Sequence, residues 1–266
     1  MSSGFREGLK LDLTGSVARL TLDRPESRNA LSRDLLASLS ATLDDLKADR
    51  SVRVVVLAAE GPVFCSGHDL RELAGAAEQE QRAIFAACSR MMLSLRELPQ
   101  PVIARVQGPA VAAGCQLVAS CDMAVAAEEA AFSTPGVQIG LFCTTPMVPL
   151  VRAVVPKAAF EMLVTGRPVP ARRALEIGLV NRVVPAERLD AAVAEIAGAI
   201  VAFSPEVIRC GKADFYHLLP LAEPDAYDAA TEIIARAVRR PAAVEGIAAF
   251  LEKRAPRWPD ETDDPT

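Results

Sequence analysis

The sequence predicts a mixed α/β fold of repeated strand–turn–helix units, followed by a helical region at the carboxyl end. Three observations predict it. Val52–Ala58 (VRVVVLA) and Val102–Val106 (VIARV) are apolar, β-branched runs, as expected of strands buried on both faces. Each passes through a glycine-bearing loop into a helical pattern, at Val52–Leu73 and Val102–Ala119, so the unit recurs. After Val151 the spacing of apolar residues turns helical. Stacked ββα-like units fit this better than an isolated doubly wound sheet.

In chain order, Leu9–Leu13 and Val17–Leu22 alternate around Thr14-Gly15-Ser16 and predict a hairpin. Ser32 is placed to cap an amphipathic helix that runs to about Lys47. A helix from about Glu78 to Leu98 ends at the break Pro99-Gln100-Pro101. Met123–Ala126 reads as a further strand. Helices are expected near Lys157–Leu163, Ala171–Ile177, Ala186–Ala202, Pro224–Val238 and Ala242–Lys253. The polar, proline-bearing tail RWPDETDDPT is expected to be disordered.

The chain has 266 residues, enough for one large domain or a core with an appendage. Hydrophobic residues make up 51% and aromatics only 5%, so the core must be aliphatic. A net charge of −5 argues against a general nucleic-acid binder while allowing local basic contacts to an anionic small molecule. No apolar run reaches the ~18 residues that span a bilayer, so no membrane partner is expected. The start, MSSGFREGLKLDL, has no apolar signal core, and a cytoplasmic chain is expected. Six cysteines without a CxxC pair read as reduced thiols, and two histidines without HExxH give no metal site.

The stretch Pro101 to Leu150 organises the rest. Val102–Val106 leads through a Gly-Pro turn to Ala112-Ala113-Gly114, which opens a helix to about Ala119. Small residues there let backbone approach a ligand, and the first amides of a helix lack intrahelical partners. Such a junction can hold an oxygen that gains negative charge. The same small residues also serve simple packing.

Five segments in order carry a resemblance: LDRPESRNAL, VVVLAAEGPVFCSGHDLREL, ARVQG…AAGCQLVASCD…AAFSTP…GL, TGRPVPARRALEIGLVNRVVP and EGIAAFLEKRAPRW. Together, over roughly Leu9 to Trp258, they resemble the enoyl-CoA hydratase/isomerase (crotonase) superfamily. The resemblance implies a crotonase-like core of ββα units over residues 1–200 and a helical trimerisation region over 201–258, with 259–266 as the tail. It also implies trimers or pairs of trimers. The ligand implied is an acyl-CoA thioester, with coenzyme A entering as part of the substrate and no other cofactor. The backbone amides of His68 and Ala113 are implied as donors to the thioester oxygen. Ser66, Gly67, Asp69, Leu70, Arg71, Gly114 and Cys143 are implied around the thioester and CoA, Arg24 and Ala30 near the nucleotide end, and Lys212 as a phosphate contact.

The sequence departs from the family where its hydratases carry two water-activating glutamates. Gln116 stands three residues after Ala113, and Gly136 follows Phe132-Ser133-Thr134-Pro135. A glutamine amide has no useful proton affinity near neutrality, and glycine has no side chain. General acid–base work contributes typically ~10²–10⁴-fold, so ordinary hydration is expected to be severely impaired. Restoring both glutamates is expected to raise it. Cys143 reads either as a base or nucleophile or as a buried packing thiol. His68 offers its backbone, its imidazole or both. Glu72 and Asp69 are further titratable candidates, and Asp69 also suits a helix cap. Asp122 suits a structural partner of nearby backbone, and Phe215 and Tyr216 suit core or interface packing. Two readings therefore stay open: an enzyme using an oxyanion hole, and a non-catalytic acyl-CoA-binding or regulatory oligomer.

Overall fold

The alternation at the amino terminus forms the expected hairpin. In the computed structural model, which describes residues 4–259, β1 (Gly4–Arg6) pairs antiparallel with β2 (Leu9–Thr14). β2 pairs in turn with β3 (Val17–Leu22), Leu9 opposite Leu22 and Thr14 opposite Val17. The Ser32 hydroxyl accepts from the Leu35 amide and starts α1 (Arg33–Ala48). Leu35, Leu36, Leu39, Leu43 and Leu46 fall on one face of α1 and are buried.

β4 (Val54–Ala59) lies parallel to β3, and the loop after it leads into short α2 (Leu70–Leu73) and long α3 (Glu78–Glu97). β5 (Val102–Val106), β6 (Ala110–Val111), α4 (Ala113–Ser120) and β7 (Met123–Ala127) form the second unit. β8 (Ala131–Ser133) and a 3-10 turn, Pro135–Ile139, precede α5 (Thr144–Ala153) and α6 (Pro156–Thr165). β9 (Val169–Pro170), α7 (Ala171–Glu176) and β10 (Arg182–Val184) follow. Four helices finish the chain: α8 (Leu189–Val201), α9 (Pro205–Leu218), α10 (Glu223–Ala237) and α11 (Pro241–Leu251).

The main sheet has seven strands in the order β1-β2-β3-β4-β5-β7-β10, and a second sheet holds β6-β8-β9. Alternation along its central strands explains their continuous apolar runs. Val55 and Leu57 pack into the large core beneath α1, α3 and α4, whereas Val54, Val56, Ile103, Val125 and Ala127 face α8. The apolar face of α8 is thereby covered by the chain's own sheet.

For this stretch the sequence predicts helix only after Val151, whereas α5 begins at Thr144. Pro146 falls in the first turn, where the missing N–H has no intrahelical partner anyway. The tail expected to be disordered, RWPDETDDPT, starts ordered: the Arg257 amide donates to Glu245 and the Trp258 indole N–H to the Ala202 carbonyl, while residues 260–266 lie outside the described residues.

Candidate active site

Two loops meet at the junction that the sequence singles out. A single parallel bridge pairs Cys65 with Ala110, and the Val111 amide donates to the Cys65 carbonyl at 2.9 Å. Leu31 grips the same loop further on: its amide donates to the Gly67 carbonyl at 2.8 Å, and its carbonyl accepts from Asp69 at 3.3 Å. The residues on either side of His68 are thus pinned, while the His68 amide takes no part in these bonds. Ala113 opens α4, so its amide also lacks an intrahelical acceptor.

Glycines make this approach possible. A Cβ on Gly67, which has φ +97°, would lie 3.3 Å from the Ala113 nitrogen, so the two loops touch beside the two amides. A Cβ on Gly114 would lie 2.1 Å from the Cys65 carbonyl oxygen, so any side chain there would force the two backbones apart. Ala112, between the strand and the helix, has φ 51° and ψ −113°. That conformation is strained for a residue with a Cβ, at about 1–3 kcal/mol, and the surrounding contacts hold it.

Both amide-bearing residues line a cavity of about 850 Å³. Ala30, Ser66, Asp69, Leu70, Arg71, Gly136 and Cys143 also line it. Asp69 caps α2 through the Arg71 amide and holds the Arg71 guanidinium at 2.9 and 2.7 Å. That guanidinium keeps the Asp69 carboxyl below its usual range. The Arg71 side chain remains 77% exposed, so its charge stays open to solvent and to an anion.

The His68 imidazole stands edge-on to Phe85, with ring centroids 5.1 Å apart. Among the described residues neither nitrogen has a hydrogen-bond partner, and burial pushes the pKa below the ordinary histidine value, partly offset by the nearby Leu31 carbonyl. Burial thereby favours the neutral imidazole.

Several residues lie elsewhere than expected. Arg24 is not part of the cavity wall: its stem packs against Gly8 and its guanidinium donates to Ser32, so it braces the chain before α1. Arg28 lines the cavity in its place. It and Asn29 adopt consecutive left-handed conformations, with φ 55° and 53°, a local signal hidden in the polar run PESRN.

Lys212 is no phosphate contact. Its ammonium is buried between the Leu95 and Gln100 carbonyls at 3.0 Å each and the Asp122 carboxylate at 2.7 Å. Tyr216 and the Val102 amide complete the partners of Asp122, at 2.8 and 2.6 Å. The cluster fastens α9 to the start of β5. Asp122 thus has the structural role read from the sequence.

Gln116 does not reach the cavity wall. It is buried one turn behind Ala113, and its Oε1 accepts no hydrogen bond among the described residues. Gly136 does line the cavity, but a Cβ there would lie 2.7 Å from the Leu141 carbonyl and 2.9 Å from the Cys143 sulfur. A glutamate at 136 therefore requires the loop 137–143 to move, and the expected gain from restoring both glutamates does not follow from substitution alone. Sequence reasoning also missed the apolar wall formed by Leu73, Phe85, Ile139, Leu141 and Phe142. Its residues come from three separate segments that no single periodicity connects.

Among the described residues, no group of three His, Cys, Asp or Glu gathers to hold a metal ion. The sequence profile described as Enoyl-CoA hydratase/isomerase matches residues 12–261. The chain belongs to the enoyl-CoA hydratase/isomerase family. It is 45% identical over 243 residues to a rat relative, enoyl-CoA hydratase domain-containing protein 3, mitochondrial, covering 91% of this chain and 81% of that protein. A crystal structure of an enoyl-CoA hydratase from Mycobacterium smegmatis superposes with a TM-score of 0.92 at 48% identity, over 94% of this chain and 98% of that one. The crystal structure of the human domain-containing protein 3 superposes with a TM-score of 0.92 at 43% identity, over 94% of this chain and all (100%) of that one. The architecture is thus the crotonase-like fold that the resemblance implied.

One expectation is overturned by these relatives. The rat, mouse, human and zebrafish proteins are all named as mitochondrial, so the cytoplasmic reading of the amino-terminal stretch does not stand. The absence of an apolar core tests for a secretory signal; organelle-targeting segments are amphipathic and escape that test.

Proposed function

We propose that the chain binds acyl- and enoyl-CoA thioesters and stabilises the enolate oxygen with the amides of His68 and Ala113. One observation supports this reading: two backbone donors on touching loops line the same cavity and have no acceptor among the described residues. A thioester oxygen gains charge whenever its α-carbon becomes nucleophilic or its β-carbon is attacked. Fixed donors in a dry site are worth about 3–4 kcal/mol each to such a charge. Arg28 and Arg71 supply positive charge for the CoA phosphates, while Leu70, Leu73, Phe85, Ile139, Leu141 and Phe142 supply an apolar wall for the acyl chain. No cofactor beyond the substrate's own CoA enters this scheme.

Hydration by such a site is slow, because neither Gln116 nor Gly136 can move a proton. That loss favours the second reading, an acyl-CoA-binding oligomer without turnover, over an efficient hydratase. Assembly as a trimer or pair of trimers is supported by the outer surface of the last three helices. No apolar residue of α9 or α10 is fully buried within the chain, and Phe215, Tyr227, Ile234 and Phe250 are exposed by 58, 69, 66 and 82%. The apolar face of α8 is covered by the chain's own sheet and takes no part in this surface.

Calorimetric titration with crotonyl-CoA, butyryl-CoA and free CoA tests the reading. Both thioesters are expected to bind more tightly than free CoA, because only they offer an oxygen to the amides. Absence of binding by any of the three at millimolar concentration would overturn it.

A further inference from the structure

Ala112 holds a backbone conformation that glycine usually supplies. Its φ of 51° and ψ of −113° lie close to the first central position of a type II′ turn, about +60° and −120°, where a Cβ is crowded. Arg28, by contrast, lies in the ordinary left-handed region, with ψ 35°. The cause lies in what is fixed on either side of Ala112. Before it, the Val111 amide donates to the Cys65 carbonyl at 2.9 Å, and the Ala112 amide donates to the Ser133 carbonyl at 2.8 Å. After it, the Ala112 carbonyl accepts from the Gln116 amide at 3.0 Å and starts α4. Strand β6 and helix α4 are thus each anchored, and the turn between them falls on one residue.

That turn decides where an amide points. A peptide unit is planar, so the direction of the Ala113 N–H follows ψ of Ala112. The extended caps Ser32 and Ala77 have ψ of 167° and 151°, whereas Ala112 turns the plane that follows it to −113°. The Ala112 methyl has a second effect. It lies 3.1 Å from where a Cβ on Gly67 would stand, so it packs against the loop that carries His68. Val111, Ala112 and Ala113 all line the cavity.

We propose that Ala112 is a positioning residue for the two backbone donors. Its conformation aims the Ala113 N–H at the cavity, and its methyl sets the spacing between that amide and the His68 loop. The assignment rests on the thioester-binding reading above and names the residue that tunes it. Glycine would take the same conformation without strain, but it would leave ψ loosely held and remove the methyl. Alanine is confined to a narrow well there, and the surrounding hydrogen bonds keep it in that well. The strain is thus retained at the point where a donor is aimed.

Ala112→Gly is therefore expected to move stability and recognition in opposite directions. Relief of strain outweighs the additional chain freedom that glycine loses on folding, so the denaturant midpoint should equal or exceed the parent's. Affinity for butyryl-CoA should fall roughly three- to tenfold, the worth of one hydrogen bond, toward that for free CoA, which should not change. Infrared spectroscopy of butyryl-CoA with a labelled carbonyl reads the donor itself. The downshift of the carbonyl on binding should shrink in Ala112→Gly and persist in Ala112→Ser, which keeps the Cβ and with it the spacing. Parent-like preference and carbonyl frequency in Ala112→Gly would overturn the assignment and leave the thioester reading intact. A parent protein that does not prefer butyryl-CoA to free CoA would overturn that reading, and the assignment with it. Equal losses in the glycine and serine variants would show that any change at 112 disturbs the wall, against a role for its conformation. A glycine variant with a midpoint well below the parent's would show that the conformation is not strained.

Discussion

Lys212→Met is expected to destabilise the protein by about 3–5 kcal/mol, because it leaves the Asp122 carboxylate buried without its cation. The two side chains are only 7% and 13% exposed, and the ammonium also satisfies two main-chain carbonyls at the end of α3 and in the turn before β5. Denaturant unfolding measures the loss. A change within about 1 kcal/mol, the range of an exposed ion pair, would contradict the buried role. Variant that remains folded should bind CoA as the parent does, whereas a phosphate-contacting lysine would weaken free CoA and acyl-CoA alike.

Gly114→Ala should remove the distinction between acyl-CoA and free CoA. The added carbon would sit 2.1 Å from the Cys65 carbonyl oxygen and 2.8 Å from its carbon, so the Cys65–His68 loop must retreat from α4. That retreat carries the His68 amide away from Ala113. Overpacking of this kind costs about 1–3 kcal/mol in stability, so a folded variant is expected at low temperature. Its affinity for crotonyl-CoA should fall to that for CoA. A retained preference for the thioester would show that the two amides are not what recognises it.

The strands and most helices were legible because burial on one or two faces writes a periodicity into the sequence. Ser32 as a cap, the apolar run at Val54–Ala59 and the amphipathic helix α3 each follow from local chemistry. The meeting of the two loops was legible for a related reason: close backbone approach requires small residues, and Gly67, Ala113 and Gly114 are such residues. What stayed hidden was direction. Arg24 and Arg28 lie four residues apart in a polar segment, and only the consecutive left-handed turns at Arg28 and Asn29 decide which reaches the cavity. Lys212 shows no sign of burial in GKADFYHLLP, since its partners lie 90 to 117 residues away in sequence. Gly136 marks an absent glutamate in the sequence; the structure adds that the Leu141 carbonyl and Cys143 close on the space.

The central claim is that the thioester oxygen rests on the amides of His68 and Ala113. Isotope-edited infrared spectroscopy of butyryl-CoA carrying a labelled carbonyl carbon tests it most directly, since a saturated chain binds without reacting. Donation by both amides weakens the carbonyl bond, so the stretch should shift to lower frequency on binding and return toward its free value in Gly114→Ala. A ligand bound by calorimetry with an unshifted carbonyl would contradict the account.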